Sequence, residues 1–92
     1  MKRMNVYYKM AKGTRDAFLK DLMDNKISEC AMNVKGCLQY QYFVPVDDPD
    51  LLLLIERWES EEAIAVHKAA PHFKKVQELK GDRVIGWEMV EY

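Results

Sequence analysis

Met4, Val6, Tyr8 and Met10 fall on one side of the stretch MNVYYKM and Asn5, Tyr7 and Lys9 on the other, the period-two pattern of a β-strand. The spacing then changes. After Gly13, a turn residue, and Thr14, a candidate helix cap, Phe18, Leu19, Leu22, Met23, Ile27 and Cys30 recur at helical intervals, which predicts one long helix of about four turns. Gly36 interrupts it. In CLQYQYFVPV, Leu38, Tyr40, Tyr42 and Val44 share one face of a second strand, and Pro45 ends its pairing. Asp47 to Asp50 form a turn cluster, and LLLLIERW beyond them is a short apolar run of the kind a strand buried on both faces displays. With its predecessor it makes a hairpin. Ser60 is placed to cap the next helix, with Glu61 and Glu62 in the first turn where the macrodipole favours negative charge. Pro71 belongs at a helix start, since its ring removes a hydrogen bond and pushes Ala70 out of the α region, so two short helices meet there. Gly81, Asp82 and Arg83 turn the chain into a last strand, VIGWEMVEY.

The order of elements is βαββαβ, which predicts an α+β, ferredoxin-like fold: an antiparallel four-stranded sheet with helices on one face, in a single domain over residues 1–92. Trp87, Met89, Phe43 and Ile55 exceed what two or three helices can hide, so the other sheet face needs a cover. A homodimer is the economical solution. Length points the same way, because a chain of 92 residues buries only roughly 60–65% of the surface its unfolded form exposes.

Charge and composition narrow the functions. The 14 basic and 15 acidic residues are scattered along the chain for a net charge of −1, which leaves no footprint for nucleic acid or an anionic membrane. No apolar run approaches the roughly 20 residues a membrane span requires, and the N-terminal stretch lacks a signal-peptide core, so a cytoplasmic protein is expected. Cys30 and Cys37 lack the spacing of a redox or zinc motif and are expected to be buried thiols. The glycines are isolated, so no loop cradles phosphates, and flavin or nicotinamide binding has no support. No nucleophile elbow is present, and neither cysteine lies near a histidine in sequence.

The candidate chemistry gathers in IERWESEEAIAVHKAAPHFKKV, from Ile55 to Val76. His67 falls in the last turn of one short helix and His72 in the first turn of the next. The helix dipoles therefore predict a higher pKa for His67 than for His72 unless burial intervenes, and such a pair could divide acid and base roles. Equally, His67 could be a core histidine and His72 a solvated one. A metal site is not expected, because the histidines are five apart rather than four and Ala63 stands where a helical partner ligand would sit. Trp58 closes the third strand on the same face as Leu54 and Glu56. Tyrosines, tryptophans and methionines suit either a pocket for a flat aromatic ligand or a dimer interface, and composition does not choose.

The string IERWESEEAIAVHKAAPHF resembles the antibiotic-biosynthesis monooxygenase family, small dimeric α/β barrels that include quinol monooxygenases; Trp58, Glu59, His67, Pro71, His72, Phe73 and Lys74 fit its pattern and the element order agrees across the chain. What the resemblance implies is oxygen insertion into a phenol or quinol with no metal, flavin or other cofactor, the ionised substrate itself giving electrons to dioxygen. The protein then needs a base and a dry pocket. Expected roles are His67 as base, Trp58 and Tyr8 as walls, His72 as a second polar group, and Leu54, Ile64 and Phe73 around the substrate. Branches of the family differ. The polyketide-oxidising branch carries an asparagine and a tyrosine where this chain has Leu54 and Ile64, and the haem-degrading branch requires residues that Val6, His67 and Gln77 replace. Another branch, which isomerises a phosphorylated dione in autoinducer-2 breakdown, shares a string similar to His67–Lys74. Isomerisation therefore stands as an alternative, and so does a non-catalytic dimeric ligand-binding or stress protein.

Overall fold

A computed structural model describes residues 1–92. Strand β1 (Lys2–Met10) is followed by helices α1 (Arg15–Asp24) and α2 (Ile27–Met32), then β2 (Cys37–Phe43), β3 (Leu51–Trp58), α3 (Glu61–Ala69), α4 (Pro71–Lys80) and β4 (Val84–Glu91). The strands form one antiparallel sheet in the order β2-β3-β1-β4, the ferredoxin-like α+β arrangement. One sheet face carries the helices. Met4, Val6, Tyr8 and Met10 of β1 and Leu52, Leu54, Glu56 and Trp58 of β3 are all buried on it, against Phe18, Leu22, Ile27, Ala31, Ala63, His67 and Val76 from the helices.

The predicted long helix is broken. Lys26 adopts a left-handed conformation (φ 55°) between α1 and α2, and the Asn25 side chain donates to the Asp21 carbonyl at 2.8 Å, occupying a carbonyl at the end of α1. A rephasing of the apolar stripe explains the break. Phe18 and Leu22 are four apart but Ile27 comes five later, so a continuous helix at 3.6 residues per turn would turn Lys26 and Glu29 toward the core. The kink seats Ile27 and Ala31 inside and leaves Met23 outside. Thr14 does precede α1, but its hydroxyl donates back to the Ala11 carbonyl at 2.7 Å instead of capping.

Strand β2 departs from simple alternation too. Its register with β3 shifts between Cys37 and Gln39, so Leu38 is the extra residue of a bulge and is exposed, while Cys37 lies opposite Trp58. Val44 lies beyond the strand. Only Tyr40 and Tyr42 of the four expected residues face the helices. The cysteines are half-buried, not buried as expected.

Strand β3 is buried on its helix face and half-buried on the other. Phe43 and Ile55 lie on the uncovered face with Tyr7 and Leu53, but Trp87 and Met89 do not. Directly opposed antiparallel residues share a face, and Trp87 pairs with Tyr8 and Met89 with Val6, both of which point to the helices. They are exposed because β4 is an edge strand that the helices fail to cover. Alternation fixes which residues of a strand go together; it does not fix which face they take.

Two junctions set the position of α3 and α4. Gly36 (φ 95°) accepts a hydrogen bond from the Glu59 amide at 2.8 Å, and a Cβ there would come within 2.8 Å of the Ala63 Cβ, so glycine is needed for both the conformation and the approach of α3. Ser60 caps α3 by accepting from the Ala63 amide at 3.2 Å. At the far end Ala70 is extended (ψ 154°) and Pro71 opens α4, as the sequence predicts.

Candidate active site

Extended backbone at Ala70 turns α4 back on α3, and that turn brings His72 to His67. Nδ1 of His67 lies 2.7 Å from Nε2 of His72. The other nitrogen of His67, Nε2, has no protein partner and opens into a cavity of about 380 Å³ between the sheet and the α3–α4 pair. Around the His67 ring stand Trp58 (centroids 4.8 Å apart), Tyr40 (5.3 Å) and Phe73 (5.3 Å), and the residue is only 3% exposed.

This enclosure reverses the expected order of the histidines. Burial first, and the neighbouring His72 and Lys68 charges after it, push the His67 pKa down to about 4. Burial also lowers His72. A helix C-terminus stabilises an imidazolium by about 0.3–1 kcal/mol, at best about 2, whereas a fall from the ordinary 6.5 to about 4 corresponds to roughly 3 kcal/mol. Desolvation wins over the dipole. His67 is therefore a neutral imidazole at neutral pH. Where its Nδ1 donates to His72, its Nε2 is a bare lone pair facing the cavity.

Of the residues the sequence singled out, His67, Tyr8, Ile64 and Phe73 reach the cavity; Trp58, Leu54 and His72 do not. Trp58 is fully buried and Leu54 is 1% exposed, so both belong to the packed layer behind the cavity, while His72 stands on the far side of the His67 ring. Tyr8 is held as the neutral phenol, its pKa raised by burial and by Glu56.

Two cavity residues were missed as chemistry. Tyr40 meets both Trp58 and His67 edge-on. Glu56 is a buried carboxyl group whose Oε1 accepts from the Trp58 indole N–H at 3.0 Å and which has no cation within ion-pair range. Burial pushes its pKa up, with the Trp58 bond and Lys68 pulling the other way. A signal for it was present in the sequence: a glutamate two residues before a tryptophan, on the buried parity of an apolar strand. At the cavity mouth Lys2 pairs with Glu91 at 2.8 Å and Glu61 at 3.2 Å, which joins β1, β4 and the start of α3. No three His, Cys, Asp or Glu side chains converge as a metal-ligand set anywhere in the chain. No helix is long and apolar enough to cross a membrane.

The sequence profile of the antibiotic biosynthesis monooxygenase family matches residues 1–79, a span that holds both histidines, Glu56 and Trp58. The chain belongs to this family. Solved structures agree on the fold. A candidate antibiotic biosynthesis monooxygenase from Nitrosomonas europaea superposes with a TM-score of 0.88 at 20% identity, covering 100% of this chain and 96% of that one. A protein of Pseudomonas aeruginosa gives 0.88 at 20% identity (99% and 90% covered), and one of Mycobacterium tuberculosis gives 0.83 at 21% (99% and 91%). No curated protein matches by sequence. Membership in the antibiotic biosynthesis monooxygenase family and the likeness to these structures give the chain its fold and the general class of monooxygenase-like proteins.

Proposed function

We propose that this chain is a cytoplasmic, homodimeric, cofactor-independent monooxygenase that oxidises a small quinol- or phenol-type ring with dioxygen, with His67 as the base. The observation that carries the reading is the bare nitrogen of a neutral, buried histidine facing an aromatic-walled cavity in a member of this family. A cavity of about 380 Å³ suits such a ligand, since about 150 Å³ already accommodates benzene. His67 Nε2 takes the hydroxyl proton, and the ring, now an electron-rich phenolate, supplies the electrons. For a quinol the balance is one quinol and one dioxygen giving one hydroxyquinone and one water. Tyr8, Tyr40, Ile64 and Phe73 supply the apolar walls against which such a ring would lie. The low pKa makes His67 a weak base, which places its contribution near the lower end, about 10²-fold, of what general-base catalysis usually supplies.

Charge weighs against the isomerase alternative. Glu56, Glu61 and Glu91 line the cavity against Lys2 and Lys68, and Lys2 is already paired with two of those glutamates. A phosphate dianion would find one lysine of the lining, Lys68, that no carboxylate already holds. Against the non-catalytic alternative stand the open cavity and the enclosed His67. The test is oxygen uptake by the protein over a panel of hydroquinones, beside an oxygen-free assay on a phosphorylated dione. Uptake with a hydroquinone supports the reading; turnover of the dione without oxygen, and no uptake, replaces it with isomerisation.

For the dimer, support comes from the uncovered sheet face, where Tyr7, Leu53, Ile55 and Phe43 present apolar surface. Ile55→Glu is expected to give a monomer or an insoluble chain, read by sedimentation. A wild-type protein that sediments as a monomer at micromolar concentration contradicts it.

A further inference from the structure

Glu56 sits in a setting that a structural role alone does not explain. It is 8% exposed, on the helix face of the sheet, and its single protein hydrogen bond comes from the Trp58 indole at 3.0 Å. The second carboxylate oxygen, Oε2, has no protein donor and lines the cavity, among Met4, Tyr8, Tyr40 and Met89. A carboxylate carries about four acceptor positions, and those of Oε2 are left to whatever occupies the cavity. A tryptophan N–H occupies only Oε1, so the second oxygen of Glu56 is open to a donor in the cavity.

We propose that Glu56 is a second ligand-binding group of this site: Oε2 accepts a hydrogen bond from a hydroxyl of the bound ring other than the one that meets His67, so the cavity selects dihydroxylated rings over their methyl ethers. The inference rests on the reading of the cavity as a ring-binding site and narrows the substrate class within it. Trp58 is the common support. Its indole N–H fixes the Glu56 carboxyl group and its ring face meets His67, so the two polar groups are held by one rigid, fully buried side chain. A site built around an acceptor discriminates strongly against ligands that lack the donor, because the buried acceptor is then left unpaired. Burial, which already disfavours the Glu56 charge, also makes a hydroxyl donor there more valuable than it would be in water.

The experiment measures dissociation constants by calorimetry under nitrogen, with hydroquinone and 4-methoxyphenol, for wild type, Glu56→Gln and Glu56→Leu. Wild type is expected to prefer the diol by about ten- to a hundredfold, the usual yield of a hydrogen bond to a charged group. Glu56→Gln keeps an acceptor for the Trp58 N–H and turns its amide N–H toward the cavity, so it should fold, melt no lower than wild type, and lose the preference for the diol. Glu56→Leu should lose it as well. Equal binding of diol and ether by wild type, or a preference that survives in both variants, overturns the proposal. If neither ring binds wild type, the ring-binding reading of the cavity falls and the role of Glu56 with it. A Glu56-dependent preference without oxygen uptake leaves Glu56 in place and removes the oxidation.

Discussion

Under α1 and α2 the sheet meets Phe18, Leu22, Ile27 and Ala31, none more than 1% exposed and none ionisable, whereas under α3 and α4 it meets His67, Glu56 and a cavity of about 380 Å³. Both helix pairs lie on one face of one sheet. The difference is in what fills the space between layers: aliphatic and aromatic side chains interlock on one side, and on the other the rings of Trp58, Tyr40 and Phe73 form a wall around polar groups. Stability and chemistry are thereby separated. The packed half supplies free energy of folding, and the open half contains the buried Glu56 and His67, each held in an environment that disfavours its charge.

The largest effect should come from the packed half. Phe18→Ala removes a fully buried ring that meets Tyr8 edge-on at 6.1 Å and is expected to lower stability by about 3–5 kcal/mol, read by urea denaturation. A loss under about 1 kcal/mol would show that this half is not the stabilising one.

Next in size is the pH dependence of stability. The folded pKa of His67, about 4, lies below the ordinary 6.5, so between these values the unfolded chain binds the proton and the folded chain does not. Stability must therefore fall as pH drops from about 6.5 to about 4, by roughly 3 kcal/mol for this group alone. His72 adds to the same slope, its pKa being lowered also. In His67→Phe the slope should shrink to what His72 and the carboxylates leave. An unchanged slope would mean that His67 is not desolvated.

A smaller effect belongs to His72, which reaches the site only through the 2.7 Å contact with His67. His72→Ala should lower turnover about tenfold and less than His67→Ala does, because it frees the tautomer and orientation of His67 without removing the base. A loss as large as that of His67→Ala would make His72 a participant in its own right.

How far the sequence foretold these halves depends on the kind of signal. The succession of strands and helices, the Ser60 cap and the Pro71 helix start were legible because each is a local rule applied to a few residues. The Lys26 break was legible too, in the five-residue step from Leu22 to Ile27, but the helical periodicity on either side masked it. Which face Trp87 takes is a matter of register with β1, a long-range pairing that no local pattern encodes. In the site, helix ends suggested a higher pKa for His67 than for His72 unless burial intervened, and only the packing of Trp58, Tyr40 and Phe73 around His67 shows that it does. Glu56 was placed on the face of Leu54 and Trp58, but its bond to the Trp58 indole and its place in the cavity depend on side-chain packing that the strand pattern does not encode.

The most direct measurement is the pH profile of oxygen uptake with a good hydroquinone for wild type and for His67→Ala. With His67 as base, the wild-type rate should rise along a limb near pH 4 that reflects its depressed pKa, and stay level toward neutrality. In His67→Ala the rate should be lower by about 10²-fold and that limb should be gone, with the fold intact. Full turnover in His67→Ala, or a limb that persists unchanged, would contradict the account and leave the α3–α4 seam as packing alone.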